Sequence, residues 1–133
     1  MLATILIPLC LWTNCQTTTY EPQAVIEYVD TRHTWPQSVE QWRPLVAGQF
    51  QPEDVETALC LIYHESRGDP TADNPRSTAR GLFQILSDWA GVYGVTYADL
   101  HDPSINTYIA ARLRYAYGWS QWSPWNRGEC HGL

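Results

Sequence analysis

Apolar positions recur at helical spacing in two long stretches of the chain. The first begins at Val55, continues at positions 59 and 62, and is apolar on every side over residues 58–63. A helix that is apolar all round is usually buried at the centre of a fold. The acidic, proline-containing run 51–54 is typical of a helix start, and Gly68-Asp69-Pro70 is typical of a helix end. The pattern therefore predicts a buried central helix that ends just before residue 68.

The second long helix is predicted to begin at Asp102-Pro103, because Asp caps helix starts and Pro is tolerated in the first turn. Positions 105, 109, 113 and 116 give it one apolar face. Shorter helices are predicted at residues 24–29 and 38–46. Residues 69–80, rich in Pro, Asp, Asn, Ser and Thr, are predicted to form a loop. Strand signals are minimal, which predicts a mainly α fold with little β structure.

The length of the chain, 133 residues, is enough for one domain with a hydrophobic core. Residues 1–12 are mostly apolar, a run too short to span a membrane as a helix, which needs roughly 20 residues. This run is typical of a secretion signal, although it contains no Lys or Arg; a buried strand or a loose terminal segment are the alternatives. We predict a leader at 1–19, a helical lead-in packed on the domain at 20–51, and the main domain at 52–133.

Charge and cysteine spacing exclude several classes of function. Lys and Arg number 8 against 14 Asp and Glu, a net charge of -6, and no basic cluster is present, so nucleic acid is not an expected partner. The cysteines at 10, 15, 60 and 130 form no C-x-x-C pair, which predicts neither a metal site nor a cofactor. Removal of the leader would leave Cys60 and Cys130, either as a disulfide or as two independent thiols. A monomer is expected.

Glu65 is the strongest candidate for chemistry. A carboxylic acid can protonate a leaving oxygen near neutral pH only if desolvation or negative potential keeps it protonated. Glu65 lies in the last turn of the predicted central helix, where the helix dipole is negative, and one turn after Leu61 and Ile62. The alternative is an ordinary helix-end Glu that pairs with Arg67 or Arg80. His64 beside it does not complete a zinc-protease motif, because position 68 is Gly.

Three segments in order carry a resemblance to a known family. They are Tyr63-His64-Glu65-Ser66-Arg67-Gly68-Asp69-Pro70, then Ala79-Arg80-Gly81-Leu82-Phe83-Gln84-Ile85, and then Asp102-Pro103-Ser104-Ile105-Asn106. Together they resemble the soluble lytic transglycosylase family of the lysozyme-like superfamily, over roughly residues 53–128. The resemblance implies a lysozyme-like single domain whose central buried helix carries the catalytic Glu.

The resemblance also implies roles for individual residues. Glu65 matches the catalytic acid/base. The residues expected to bind substrate are Ser66, Gln84, Phe83, Tyr63, Trp125, Asn126 and Asn106. For Gln84 a loop-capping amide is the alternative, and for Asn106 structural support. Trp125 stands where the family has a tyrosine, so a phenol would have to come from elsewhere; the candidates are Tyr93, Tyr97 and Tyr115.

The activity implied is cleavage of the MurNAc-GlcNAc β-1,4 bond of peptidoglycan by a lytic transglycosylase that uses one Glu. A hydrolytic lysozyme of the same fold would need a second carboxylate, for which Asp69, Asp73 and Asp88 are the candidates. A non-catalytic module that binds the cell wall or builds a virion is the alternative from another class. Peptidoglycan glycan strands are the expected partner, and a secreted, periplasmic or virion-associated location is expected.

Overall fold

The computed structural model describes residues 6–9, 16–19 and 33–133, and the chain divides into two compact units, Met1–Thr31 and Arg32–Leu133. In the first unit, strands β1 (Leu6–Leu9) and β2 (Gln16–Thr19) pair antiparallel, with Leu6 opposite Thr19. Both strands fall within the predicted leader, whose cleavage stays a prediction, as do the other boundaries. The helix predicted at 24–29 and the cysteines at 10 and 15 lie outside the described residues.

The second unit is built from helices, which confirms the mainly α class. Its α-helices are α1 (Gln37–Glu40), α2 (Arg43–Ala47), α3 (Val55–Ser66), α4 (Ser87–Val92), α5 (Pro103–Tyr117) and α6 (Ser123–Asn126). Short 3-10 helices cover Pro52–Asp54, Ala98–His101 and Trp119–Gln121. No helix within the described ranges is both long and apolar enough to cross a membrane.

Helix α3 forms the centre of this unit, as its all-round apolar sequence predicts. Buried side chains occupy most of its length, and α1, α2 and α6 pack around it. Its N-terminal end is tied to α5, because the Asp54 carboxylate accepts hydrogen bonds from Tyr115 Oη (3.0 Å) and Arg114 Nη2 (3.3 Å). The orientation of α3 is therefore set by contacts from several sides.

The prediction of one helix at 38–46 is wrong about continuity, since the structure has two short helices there. Pro44 lies in the first turn of α2. Pro has no backbone N–H and its ring clashes with the carbonyl four residues earlier, so a continuous helix through residue 44 is disfavoured. The chain therefore turns after Glu40, and α1 and α2 each pack on α3.

The aromatic rings of four residues from different parts of the chain pack against one another. Phe50 stacks on Phe83 with ring centroids 5.7 Å apart and on Trp119 at 5.8 Å, and Trp122 meets the Phe83 ring edge-on at 6.3 Å. All four side chains are buried. Two of the seven tryptophans, Trp119 and Trp122, therefore belong to the core.

The C-terminal end of α3 turns sharply and is held by the two short helices. Arg67 (φ 56°) and Gly68 (φ 86°) both have left-handed backbone conformations. A side chain at position 68 would lie 2.0 Å from the Ser38 carbonyl oxygen, so the close approach of α1 requires glycine. Trp42 Nε1 donates a hydrogen bond of 2.9 Å to the Gly68 carbonyl. The turn that follows Glu65 is thus fixed from outside the helix.

Candidate active site

Glu65 lies in the last turn of α3 and is half-buried. Burial raises the pKa of its carboxyl to about 7; the positive charge of Arg127 opposes this rise, and the negative charge of Glu129 adds to it. Desolvation is the dominant cause because an ionised carboxylate loses more hydration than a neutral acid. A substantial fraction of Glu65 is therefore protonated near neutral pH, as a general acid requires.

Ser66, next to the acid, is buried and its hydroxyl is committed to the protein. Ser66 Oγ donates to the Leu82 carbonyl at 2.8 Å, lies 3.2 Å from the Ile62 carbonyl, and accepts from the Gly68 backbone N–H at 3.3 Å. These bonds join the end of α3 to the segment that contains Gln84. The Ser66 hydroxyl therefore holds the backbone at the end of α3 and at Leu82 in fixed positions.

Asn106, fully buried on α5, holds the same segment from behind. Its Nδ2 donates to the carbonyls of Arg80 and Leu100, both at 2.9 Å, and its Oδ1 accepts from the Phe83 backbone N–H at 2.8 Å. A side chain on Gly81 would lie 2.4 Å from Asn106 Nδ2. The glycine allows the turn to approach the amide, and the amide satisfies backbone groups that would otherwise be buried without partners.

Gln84 has a left-handed backbone conformation (φ 51°) and a partly exposed side chain. Its Nε2 donates to the carbonyls of Ala72 (3.1 Å) and Gly81 (3.0 Å), which closes the loop before it. The loop-capping role is therefore present in the structure. Since the side chain is also partly exposed, it remains accessible at the surface of the same segment.

A C-terminal segment, residues 125–131, completes the surroundings of Glu65. Of the two alternatives for Cys60 and Cys130, the structure has the disulfide, with the Cα atoms 5.7 Å apart. Beside it, the Glu129 carboxylate accepts two 2.9 Å hydrogen bonds from the Arg127 guanidinium and lies 3.3 Å from His64 Nδ1. The ion pair with Arg127 lowers the pKa of Glu129. The disulfide thus brings an ion pair into electrostatic range of Glu65.

Three other predicted substrate residues lie in or near this region. Tyr63, partly buried, carries the Arg67 guanidinium over its ring at 4.1 Å. Trp125 packs edge-on against His131 with centroids 4.2 Å apart, and Asn126 Nδ2 donates to the Ser120 carbonyl at 2.9 Å. Trp125 and Asn126 therefore help to order the C-terminal segment. Phe83, by contrast, is fully buried in the aromatic core.

The tyrosines considered as substitutes for the family phenol have other partners. Tyr115 Oη bonds to Asp54 at the opposite end of α3, about 16 Å along the helix from Glu65. Tyr97 lies under the Arg80 guanidinium at 3.8 Å, and Tyr93 packs against Trp89. None of these three contacts places a phenol at Glu65.

The carboxylates considered as a second catalytic group are also engaged or remote. Asp69 Oδ1 accepts from the N–H and hydroxyl of Thr71, and Asp73 Oδ1 bonds to Arg80 (2.6 Å) and His101 (2.8 Å). Asp88 is exposed in the first turn of α4. The charged groups that act on Glu65 are instead Arg127 and Glu129.

Sequence reasoning missed Arg127 and Glu129, although a signal was available. Cys60 lies about one helical turn before Glu65, and Cys130 is next to Glu129. A disulfide between these cysteines necessarily brings residues 127–129 to the last turns of α3. Once the pairing is accepted, their proximity to Glu65 follows from chain connectivity.

The raised pKa of Glu65 predicts a pH dependence of stability. Below pH 4 the carboxyl is neutral in folded and unfolded chains alike; between about pH 4.5 and 7 it ionises only on unfolding, so stability is lost as pH rises. The Glu65→Gln variant has no such loss. Its advantage in unfolding free energy over wild type should grow between pH 4 and 8, by on the order of 1–2 kcal/mol after solvent screening.

Urea denaturation at several pH values measures this difference. Glu53→Gln, at an exposed position before the start of α3, controls for the loss of one negative charge. An advantage of Glu65→Gln that stayed constant across the pH range would contradict a raised pKa at this site.

A half-buried acid thus lies at the end of the central helix α3, near a tight turn and the C-terminal segment that the disulfide holds. A family model described as a lysozyme-like domain matches residues 45–124, so the chain belongs to the lysozyme-like domain family. No curated protein sequence and no solved structure matches the chain. The matched range contains Glu65, Gln84 and Asn106, and it ends just before Trp125.

Proposed function

We propose that this protein cleaves the MurNAc-GlcNAc β-1,4 bond of bacterial peptidoglycan as a lytic transglycosylase. The observation that carries the proposal is the half-buried position of Glu65 in the last turn of α3, a burial that raises the pKa of its carboxyl to about 7. A carboxyl of this acidity can both give and take a proton near neutral pH. The lysozyme-like family of the chain supports peptidoglycan as the substrate. The action of the protein would lie outside the cytoplasm, which suits a disulfide-bonded domain.

In the first step, the Glu65 carboxyl gives its proton to the glycosidic oxygen as the bond from that oxygen to MurNAc C1 breaks. GlcNAc leaves as an alcohol, and C1 takes on oxocarbenium character. In the second step, the Glu65 carboxylate removes the proton from the C6 hydroxyl of the same MurNAc, and that oxygen attacks C1. The product is a 1,6-anhydro ring, Glu65 is protonated again, and no water is consumed.

The other predicted residues divide into two roles in this proposal. Ser66 and Asn106 hold the backbone around the acid, since both are buried and hydrogen-bonded to carbonyl groups of the 80–83 segment or its neighbours. Phe83 anchors the same segment in the core. The partly exposed Gln84 and Tyr63 are the groups that we expect to contact sugar or peptide directly.

Glu129 gives a specific reason to keep hydrolysis as the second candidate. It is a carboxylate close enough to influence Glu65 electrostatically, and it stays ionised because the adjacent Arg127 lowers its pKa. A hydrolase needs such a group to activate water or stabilise the cation. We favour transglycosylation because both oxygens of Glu129 already accept hydrogen bonds from Arg127.

Mass analysis of the muropeptides released from purified peptidoglycan separates the two mechanisms. Transglycosylation yields anhydro-MurNAc ends, and Glu129→Gln should leave that product in place because the second step needs no other carboxylate. Reducing MurNAc ends that vanish in Glu129→Gln would instead establish hydrolysis. If the wild type pelleted with the wall but released nothing, a binding or virion module would be the correct function.

A further inference from the structure

Two cysteines and a histidine meet beside the last turns of α3. The metal-ligating atoms of Cys60, His64 and Cys130 all lie within 4.8 Å of one another. Cys60 and His64 are four residues apart on α3, so their side chains project from the same face of the helix. Cys130 joins them from the C-terminal segment, 70 residues after Cys60. Cysteine spacing along the sequence did not predict this group, because packing brings its third member into place.

The three side chains offer donor atoms that zinc prefers. Two thiolates and one imidazole are a known ligand set for Zn²⁺ in proteins, with bond lengths of about 2.3 Å to sulfur and about 2.0 Å to nitrogen. In a tetrahedral site, these lengths place the donor atoms roughly 3.5–3.8 Å from one another. The group in the structure is already nearly as compact as such a site, so small side-chain movements would complete it.

The disulfide and a metal ion exclude each other at this site. In the oxidised protein the sulfur atoms of Cys60 and Cys130 are bonded together, so they cannot act as thiolate ligands. A dithiol reductant gives two electrons and two protons to this bond; the protein gains two thiols, and the reductant becomes a disulfide. Zn²⁺ then displaces the two thiol protons, which pass to solvent. In the reduced protein, the packing of α6 on α3 keeps the C-terminal segment near Cys60.

A metal ion can reach the group from solvent on the side of His64. Both cysteines are buried, whereas the side chains of His64 and Glu129 are 26 % and 34 % exposed. The Glu129 carboxylate, 3.3 Å from His64 Nδ1, is a candidate fourth ligand, and a water molecule is the alternative. Arg127 donates two hydrogen bonds to the same carboxylate, so the two residues together add little net charge.

We propose that the reduced protein binds one Zn²⁺ ion through Cys60, His64 and Cys130, in the place that the disulfide occupies in the oxidised protein. The bound ion connects α3 to the C-terminal segment, because its ligands come from both. A metal ion that binds the folded chain and not the unfolded one stabilises the fold. The inference is independent of the proposed function, since it involves no glycan and no catalytic step.

Titration of the reduced protein with Co²⁺ and then Zn²⁺ tests the proposal. The parent is the full-length chain with Cys10→Ser and Cys15→Ser, which leaves Cys60 and Cys130 as its thiols after reduction with a phosphine. Co²⁺ should bind one to one and give thiolate-to-cobalt absorption together with the visible bands of a tetrahedral site. Zn²⁺ should then displace it. The oxidised parent should show none of these bands.

Two histidine variants decide whether the metal binds at the described group. His64→Ala should weaken Zn²⁺ binding at least about tenfold, since even a residue that only orients a zinc ligand contributes that much. His131→Ala is the matched control, because His131 is next to Cys130 while its ring packs on Trp125. Its Zn²⁺ affinity should stay within about twofold of that of the parent. A reduced parent that binds no Co²⁺, or equal Zn²⁺ affinities in the parent and His64→Ala, would overturn the proposal.

Urea denaturation shows whether the ion binds the folded chain. Zn²⁺ should raise the urea midpoint of the reduced parent as its concentration increases, and it should restore the helical circular dichroism if reduction alone unfolds the chain. The midpoint of Cys60→Ala/Cys130→Ala should not move with Zn²⁺. Binding of Zn²⁺ that leaves the midpoint of the reduced parent unchanged would also contradict the proposal, because the ion would then bind the unfolded chain equally well.

Discussion

Replacing Glu65 with Gln is expected to reduce glycan cleavage on the order of a thousandfold, the scale of general acid catalysis. The amide has nearly the same shape as the acid but has no proton to give to a leaving oxygen. Because Glu65 is half-buried and mostly desolvated, its replacement by a neutral group leaves no unpaired charge in the site. We therefore expect the variant to fold at least as well as the wild type.

The release of soluble muropeptides from purified peptidoglycan measures this loss. Glu53→Gln is the control, since it removes a carboxylate at an exposed position before the start of α3 without removing the proposed acid. Glu65→Asp should retain partial activity, because it keeps an acid but shortens its reach. Cleavage by Glu65→Gln within tenfold of the wild type would mean that another group supplies the proton.

Removing the Cys60–Cys130 disulfide is expected to lower the unfolding free energy by about 4 kcal/mol. The two cysteines are 70 residues apart, and a cross-link over a loop of that length restricts the unfolded chain by roughly this amount. Both cysteines are buried, so Ala is the replacement that adds the least new polarity. The double variant Cys60→Ala/Cys130→Ala should accordingly unfold at a much lower urea concentration.

Reduction of the wild type with a phosphine should give the same shift in the urea midpoint. The double Ala variant treated with the same reductant is the control, since any further shift in it reports the other two cysteines, at positions 10 and 15. A midpoint that neither reduction nor substitution moved would show that the contacts of α6 and α3 hold the C-terminal segment without the covalent bond.

Local rules of helix formation predicted the elements that present the site. The apolar run around residues 58–63 predicted the buried helix α3, and the Asp-Pro pair predicted the start of α5. In the structure, Asp102 Oδ1 accepts from the backbone N–H groups of Ser104 (2.8 Å) and Ile105 (3.1 Å), as a helix cap does. These features depend on residues that are close in sequence, so the sequence alone predicts them.

The hydrogen bonds that assemble the site could not be predicted in the same way. Asn106 reaches carbonyl and amide groups 6 to 26 residues away, and Ser66 bonds to Leu82, 16 residues later. Such pairs depend on how the helices pack, which periodicity does not determine. The family resemblance indicated that Ser66 and Asn106 belong to the site. Their hydrogen-bond partners could be identified only from the three-dimensional structure.

The aromatic residues illustrate the same limit. Trp119 and Trp122 are buried, while Tyr108 and Tyr117 face solvent. Helical periodicity alone did not distinguish them, because residues 118–128 follow no regular spacing. The partition between core and surface was set by packing against Phe50 and Phe83.

The position of the disulfide also fixes when the site can be completed during synthesis. Seventy residues separate its cysteines, so Cys130 reaches Cys60 only after translation has passed residue 130. The ion pair of Arg127 and Glu129 is secured beside the acid at that late moment, and only in a compartment that oxidises thiols. In a reducing compartment the C-terminal segment would therefore lack its covalent attachment to α3.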